Sequence, residues 1–488
     1  MVLCPFVRRK KPPSRRRLFV LLLAVMVVVL LTVTVVVVVV PSRIEPRHET
    51  VRLELELVES GRNETLFQVQ GKATEWTTTT IPSSNSINDP SAVAVAAGPA
   101  AAAIEEEASS SGEQKQKQKQ NPLSLSGGIG NGPYHNWELF AADYEEMLHS
   151  LKIFVYPDVY INSSSSPFAQ IFLPHPNPFH PKLGNYFSEH LFKLALLRSS
   201  LVTPRPEEAH FFFMPFSINN MRNHPALHSE TSISDFVAQY TARISMEFEF
   251  WNASGGTDHF YVCCHSVGRE AASKHPHLHN NAIQVTCSST YFQRLYIAHK
   301  DIGLPQVWPR QHEKLLNPPH ARNKLVFFAG RMQNSRIRQE LLATWGNDTD
   351  MDIFSGYPSF PYEEGFRRSR YCLHVKGYEV NTARVSDAIH YGCIPVLVSN
   401  YYDLPFANVL DWSKFSIIIS QGDIACLKKI LLSVSRQMYL SMFQNLRIVR
   451  RHFVWHTTPK SYDSFHMIAY QLWLRRGLHL AYNTQMEV

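Results

Sequence analysis

The chain has no Cys-x-x-Cys pair, no Gly-x-Gly-x-x-Gly loop and no Walker loop among its 488 residues. These absences argue against a paired-cysteine zinc site and against the usual dinucleotide and P-loop phosphate sites. Residues 1–17 contain no acidic side chain but seven Lys and Arg, and residues 18–40 carry no charge. The formal net charge of +7 therefore belongs to one short cytosolic tail, and residues 41–488 sum to zero. This balance, without dense basic runs, argues against nucleic acid as a partner.

A long apolar run follows the basic tail. In Leu18–Val40 the only polar residues are Thr32 and Thr34. About 20 apolar residues suffice to cross the hydrocarbon core of a bilayer. The run exceeds the roughly 7–15 apolar residues of a cleavable signal peptide, so we predict a retained signal-anchor over residues 18–40. The positive-inside rule then keeps residues 1–17 in the cytosol, as in a single-pass type II membrane protein. The low-complexity residues 41–131 are predicted to form a lumenal, largely disordered stem.

Cysteines and glycosylation signals agree with this topology. Six of the seven cysteines follow the predicted anchor, and an oxidising compartment allows them up to three disulfides, whose pairing stays open at this point. Four Asn-x-Ser/Thr sequons also follow it and are candidate glycosylation sites: Asn63, Asn162, Asn252 and Asn347. Both features favour a lumenal location for the bulk of the chain.

From about residue 134 onward, short apolar runs alternate with amphipathic stretches of helical length. The predicted strands cover residues 153–156, 210–214, 260–264, 283–286, 325–329, 373–375, 394–398 and 415–419. Such alternation predicts parallel α/β sheets. The turn-like break at Asn317–His320 divides this part into a predicted N-terminal domain, 132–320, and a C-terminal domain with closing helices, 321–488. Two such domains would face each other across a cleft and bind a ligand at the carboxyl ends of their strands.

The segment with the clearest chemical meaning is residues 371–402. A strand runs into a loop with Gly377, and a helix starts near Thr382, a plausible N-cap. The free N–H groups of such a helix start bind phosphate, and Arg384 would add charge-assisted donors. Asp387 lies one turn deeper, where a ribose would sit, and Glu379 lies in the loop that would face a sugar. Together these residues suggest a nucleotide-sugar site.

A simpler interpretation explains the same spacing. The helix could be an ordinary capped helix in which Arg384 pairs with Asp387 while Glu379 is solvated. The spacing alone favours this interpretation slightly over a nucleotide-sugar site.

The segment resembles the C-terminal signature of the exostosin family of glycosyltransferases, in its plant branch. The resemblance lies in the aromatic-Cys-Leu of 371–373, the Gly-Tyr-Glu of 377–379, the Arg-Val of 384–385 and the Gly-Cys-Ile-Pro-Val of 392–396. Further ordered matches are KIFVYP at 152–157, GGTDHF at 255–260 and FFAG at 327–330. The matches cover about residues 134–435, and the anchor and stem suit the same family.

The resemblance implies a GT-B fold, α/β with two Rossmann-like domains facing a cleft. It implies an inverting transferase in the Golgi membrane that takes a nucleotide-diphosphate sugar, usually a UDP-sugar, without an obligate metal. The acceptor would be a cell-wall polysaccharide or a glycoprotein, and complexes with itself or with other Golgi transferases are compatible with this family.

The resemblance also implies roles for individual residues. Arg384 and Arg338 would hold the diphosphate, Asp387 the ribose, and Glu379 would lie near the donor sugar, with Gly377 and Thr382 in the same loop. Asp387 stands where the family usually has Glu, which is one methylene longer.

Inversion needs a general base that deprotonates the acceptor hydroxyl. The candidates are His265, after the strand at 260–264, and Asp258 and His259, in the Gly-Gly turn before it. His265 is the preferred candidate and Asp258 the next. The rival to an enzyme is a non-catalytic GT-B scaffold that binds glycan or a partner transferase. A second rival reads Asp348, Asp350 and Asp352 as a metal-binding motif, but a solvated turn is the favoured interpretation of these three residues.

Overall fold

The structure is a computed structural model that describes residues 132–157, 168–174, 177, 180–292, 294–308, 316–333 and 335–477. The predicted tail, anchor and stem, with Asn63, lie outside the described residues, as does Asn162. Within the ranges given, no helix combines the length and the apolar character that crossing a membrane requires.

The first sheet has five parallel strands in the order β1-β2-β3-β4-β5. They are β1 (Ile153–Val155), β2 (Phe211–Phe213), β3 (His259–Cys263), β4 (Ile283–Thr286) and β5 (Ile302–Gly303). Strands buried on both faces need apolar side chains at consecutive positions, since neighbours point to opposite faces. In β2, Phe211 and Phe213 enter one core cluster while Phe212 enters another.

Eight helices precede, follow or connect these strands. They are α1 (Trp137–Ser150), α2 (Ala169–Phe172), α3 (Phe187–Leu197), α4 (Ile218–Arg222), α5 (Glu230–Glu247), α6 (Glu249–Ser254), α7 (Ser266–Ser273) and α8 (Pro276–Asn281). Polar side chains begin several of them, as Asn136 does for α1 and Ser229 for α5 by accepting a first-turn N–H.

The second sheet has five parallel strands in the order β10-β9-β8-β6-β7. They are β6 (Lys324–Gly330), β7 (Met351–Ser355), β8 (Ser369–Val375), β9 (Ile394–Val398) and β10 (Ile417–Ile419). Its connecting and following helices are α9 (Arg336–Trp345), α10 (Tyr362–Arg368), α11 (Arg384–Tyr391), α12 (Leu427–Leu432) and α13 (Arg436–Val449).

The last described helix, α14 (Ser464–Trp473), packs against the first sheet, in contact with α1, α3 and β5. Phe465 of α14 lies 5.6 Å from Phe192 of α3, and Tyr470 lies 4.9 Å from Phe140 of α1, between ring centroids. The chain therefore crosses between the sheets twice, once before β6 and once before α14.

Two disulfides join neighbouring strands among the described residues. Cys264–Cys287 links the residues that follow β3 and β4, and Cys372–Cys393 links β8 to the residue before β9. Each closes a loop of just over 20 residues, which stabilises a fold by roughly 3 kcal/mol in the chain-entropy account. Cys263 keeps a buried free thiol, and burial raises its pKa.

The predicted fold class is confirmed, because the structure has two parallel α/β sheets facing a cleft. All eight predicted strands form, with bounds shifted by a few residues, whereas the two-residue β5 had no recognisable pattern. After β10, the chain forms a 3-10 helix, Gln421–Cys426, that continues directly into α12. The domain bounds 132–320 and 321–488 stay a prediction.

Candidate functional site

A cleft of about 780 Å³ lies between the two sheets, at the carboxyl ends of their strands. The first sheet and its linker contribute Tyr186, Cys264, Gln306 and Trp308, and strands, helices and loops of the second sheet contribute the other lining residues. This size and position are usual for small-molecule sites in open α/β proteins.

All six residues predicted to bind a donor line this one cleft. They are Arg338, Gly377, Glu379, Thr382, Arg384 and Asp387. They come from two helices and one loop, so packing of the second sheet brings them together. The grouping is what a site for a large anionic ligand requires.

Arg384 begins α11 and lies against the end of β6. Its Nε donates to the carbonyl of Ala329 at 2.9 Å, and its guanidinium lies 5.3 Å from the ring centroid of Phe328. A Cβ at Gly330 would come within 2.5 Å of Nη2, so glycine is needed there for the arginine to occupy this place.

Arg338, in α9, is almost fully buried beneath the loop after β8. Nε and Nη2 donate to the carbonyl of Val375 at 3.1 and 2.8 Å, and Nη1 donates to Arg331 at 3.0 Å. Burial and the neighbouring Arg384 charge lower its pKa to about 10, which leaves it cationic at neutral pH. Two like charges in one cleft repel each other, and a diphosphate would offset that repulsion.

Thr382 does not cap α11, contrary to the prediction. The N-cap residue is Ala383, which has no side-chain acceptor, and the Thr382 hydroxyl bonds His374 Nδ1 at 3.0 Å. The other ring nitrogen of His374 bonds the Val380 carbonyl at 2.9 Å. The buried histidine therefore ties the donor loop to β8. Asp387 lies one turn into α11 and is buried.

The simpler interpretation left Glu379 without a protein partner, whereas the structure pairs its carboxylate with two side chains. Its Oε2 accepts from Arg269 Nη2 at 3.0 Å and from Ser288 Oγ at 2.6 Å. Arg269 belongs to α7 and Ser288 follows β4, so both partners come from the first sheet. Glu379 is thus held across the cleft from its own sheet.

Of the two preferred bases, Asp258 does not reach the cleft. It precedes β3, whose five residues span about 16 Å, and the cleft lies at the other end. Its Oδ1 accepts from Ser254 Oγ at 2.5 Å and lies 2.7 Å from Nδ1 of the buried His259. The carboxylate therefore braces the turn before β3.

His265 lies beside the cleft, with its ring 4.6 Å from that of Tyr186. It is the N-cap of α7, because Nδ1 accepts from the backbone N–H of Val267 at 3.0 Å. In the neutral ring the proton is then on Nε2, which donates rather than accepts. Burial, with the charge of Arg222, lowers its pKa to about 4. Its described geometry is that of a cap rather than of a base.

Exposed aromatic side chains at the cleft mouth were not predicted. Tyr357 and Tyr378 are 88% and 78% exposed and line the cleft with Trp308. The only signal was the position of Tyr378 between two predicted site residues.

The three acidic residues of the possible metal motif are paired with cations. Lys428 contacts Asp348 at 2.7 Å and Asp350 at 2.8 Å, and Arg368 contacts Asp352 at 2.7 Å. Among the described residues, no group of three or more His, Cys, Asp or Glu could hold a metal ion.

Comparison with known proteins gives a family match over most of the described part. Residues 147–434 match the family described as Exostosin GT47 domain. A probable glycosyltransferase of Arabidopsis thaliana is 34% identical over 358 residues, covering 71% of this chain and 66% of the relative. A probable glucuronosyltransferase of Oryza sativa subsp. japonica is 26% identical over 273 residues, covering 52% of this chain and 63% of the relative. The chain spans slightly less than two thirds of each relative.

Among solved structures, the glycotransferase of kitacinnamycin aligns with a TM-score of 0.28 and 8% identity. That alignment covers 68% of this chain and 94% of the other.

Proposed function

The chain belongs to the exostosin GT47 family, and from this premise we propose that it is an inverting glycosyltransferase with a nucleotide-diphosphate sugar as donor. The donor is a UDP-sugar, no metal is obligatory, and the acceptor is a cell-wall polysaccharide or a glycoprotein. One observation carries the proposal: all six residues expected at a donor site line one cleft that holds two arginines.

The proposal gives each group a task. Arg384 donates to the diphosphate, Arg338 adds positive charge, Asp387 binds the ribose and Glu379 faces the sugar. The acceptor hydroxyl gives up its proton to a general base as its oxygen attacks the anomeric carbon, while the bond from that carbon to the diphosphate oxygen breaks. UDP then leaves with the bonding electrons, and the guanidinium groups of Arg338 and Arg384 stabilise the negative charge that develops on it. In metal-dependent transferases a bound metal ion has this role.

The membrane topology and the compartment belong to the proposal as well. A signal-anchor at 18–40 would hold the protein in the Golgi membrane as a type II protein with its catalytic part in the lumen. The two disulfides support an oxidising compartment. The sequons Asn252 and Asn347 are exposed on the described surface, as acceptors of N-glycans must be.

A ligand-induced shift in melting temperature tests the donor site. At 100 times its Kd, UDP stabilises a protein by about 2.7 kcal/mol, which corresponds to a rise of several degrees in the Tm of the full chain in detergent. We expect Arg384→Ala to abolish that rise, and Gly330→Ala to reduce it because the new Cβ displaces the guanidinium. Arg336→Ala, an exposed arginine in the same helix as Arg338, is the control.

Transfer is tested with a panel of UDP-sugars that includes UDP-glucuronic acid, since one relative is named as a glucuronosyltransferase. Removal of Arg384 should cost about 10²-fold or more in kcat. If UDP leaves the Tm of the wild type unchanged and no UDP-sugar is turned over, the non-catalytic scaffold is the better description.

A further inference from the structure

Three exposed aromatic side chains form a patch beside the cleft that the donor site does not use. Tyr291 is 61% exposed, Phe292 73% and Tyr401 48%. We call these three residues the aromatic platform. Single exposed apolar residues need no explanation, but contiguous ones mark interaction sites.

The platform is held rigidly by the backbone. Residues 289–292 pair with residues 401–403 through a Thr290–Tyr402 bridge, a Tyr291 N–H bond to the Tyr401 carbonyl and a return bond from Asp403 N–H to Ser289. The Tyr291 hydroxyl donates to Asp403 Oδ1 at 2.6 Å. The rings of Phe292 and Tyr401 lie 5.1 Å apart. Rings fixed in this way bind a ligand at little cost in conformational entropy.

The platform is close to the predicted donor sugar. Ser288, which bonds Glu379, precedes Phe292 by four residues, so their Cα atoms are at most about 14 Å apart. A second link runs through Tyr402, whose ring lies 5.5 Å from that of His374 beneath the donor loop. The platform therefore lies within reach of a short run of sugar units from Glu379.

The size of the platform favours a glycan over a protein. An aromatic side chain buries about 150–250 Å², so these exposed fractions leave roughly 300–450 Å² of apolar surface. A stable protein interface needs about 800 Å² from each partner. The negative face of an aromatic ring attracts the C–H face of a pyranose, and Asp403, at the edge of the platform, can accept bonds from sugar hydroxyls.

We propose that Tyr291, Phe292 and Tyr401 form an acceptor subsite that binds a glycan chain a few sugar units away from the transfer point. The inference rests on the proposed function, because an acceptor chain has meaning only for a transferase. It predicts that the enzyme extends or decorates polymers and discriminates against short acceptors.

Affinity electrophoresis of the full chain in detergent tests this subsite. Native gels are cast with one plant polysaccharide each: xylan, xyloglucan, galactomannan or arabinogalactan. At least one should retard the wild type, and Phe292→Ala/Tyr401→Ala should weaken that retardation at least tenfold. Tyr401→Phe, which keeps the ring, should behave as wild type. The control is Leu139→Ala/Met246→Ala, which removes two exposed apolar side chains from helices α1 and α5, outside the platform.

Several results would overturn the subsite. The subsite is overturned if the double variant is retarded as strongly as the wild type, or if no polysaccharide retards the wild type. It is also overturned if sedimentation shows that the wild type is a dimer and the double variant is not, because the platform would then bind a second copy of the chain. UDP should raise the Tm of the double variant as much as that of the wild type. Absence of that rise in the wild type counts against the proposed function, whereas normal retardation of the double variant counts against the platform alone.

Discussion

At the scale of single residues, the cleft is built around two arginines anchored by backbone carbonyls. Arg338 donates to Val375 and Arg331, and Arg384 donates to Ala329. A carbonyl orients a guanidinium without cancelling its charge, so the net positive charge remains available to an anion. Glycine at position 330 gives Arg384 the space it occupies.

His265 allows a sharp test at this scale. Because its Nδ1 accepts the Val267 N–H, we expect the side chain to act as a helix cap. Asn provides an equivalent acceptor, so His265→Asn should keep kcat within about threefold of wild type, whereas His265→Ala should lower the free energy of unfolding by about 1 kcal/mol. Steady-state kinetics and denaturant titration measure both. A drop of 10² or more in kcat for the Asn variant, with unchanged UDP binding, would restore the role of base.

At the scale of elements, the loop after β8 is the part on which the donor site depends. It carries Gly377, Glu379 and Thr382, and the buried His374 bonds it at two points. With Nε2 donating to the Val380 carbonyl, Nδ1 is left to accept from Thr382. The neutral form of His374 satisfies both bonds, so the loop and the protonation state are coupled.

This coupling predicts a pH dependence of stability. Burial and the charge of Arg384 lower the pKa of His374 to about 3, well below its ordinary value. Between pH 3 and 6.5 the unfolded state binds more protons, so the free energy of unfolding should decrease as the pH is lowered through this range. The share of His374 is about 2 kcal/mol at pH 5 relative to pH 7.5. Denaturant titration at pH 5 and pH 7.5 measures how much of the free energy of unfolding is lost on acidification. That loss should be smaller than in the wild type by about 2 kcal/mol in His374→Asn. It should equal that of the wild type in His228→Asn, a control at an exposed position. Equal losses in all three proteins would contradict the assignment.

At the scale of the whole molecule, the two sheets are joined by more than the chain linker. Glu379 bonds Arg269 and Ser288, Asp403 bonds Tyr291 and Tyr296, and Asn381 bonds Gln306. The helix α14 returns from the second half to cover the first sheet. The first sheet therefore cannot complete its core without the carboxyl-terminal part of the chain.

Phe465 of α14 tests this dependence. Its side chain is fully buried against Phe192, and removal of a buried phenylalanine leaves a cavity. Phe465→Ala should lower the free energy of unfolding by about 3–5 kcal/mol, measured by denaturant titration followed through tryptophan fluorescence. Leu474→Ala, at a position 42% exposed just after α14, should change it by less than about 0.5 kcal/mol. A cost below about 1 kcal/mol for Phe465→Ala would mean that α14 contributes little to this core.

Much of the fold could be predicted from local patterns. Apolar runs such as Ile394–Val398 became strands with the same bounds, because a buried parallel strand needs an unbroken apolar run. The donor residues of 377–387 were also recognisable, since they follow one strand and begin one helix. Asp258 and the platform were not, because neither has a local signature for its position relative to the cleft.

By itself the sequence determined the alternation of strands and helices, the family signature and the apolar run at 18–40, all of which depend on residues close in the chain. Only the tertiary structure decided that Glu379 meets Arg269, 110 positions away, and that Tyr291 and Tyr401 share one surface. The physical reason is that such contacts arise from the packing of one sheet against the other. Spacing along the chain records which faces are apolar, but it does not record which face of the other domain each one meets.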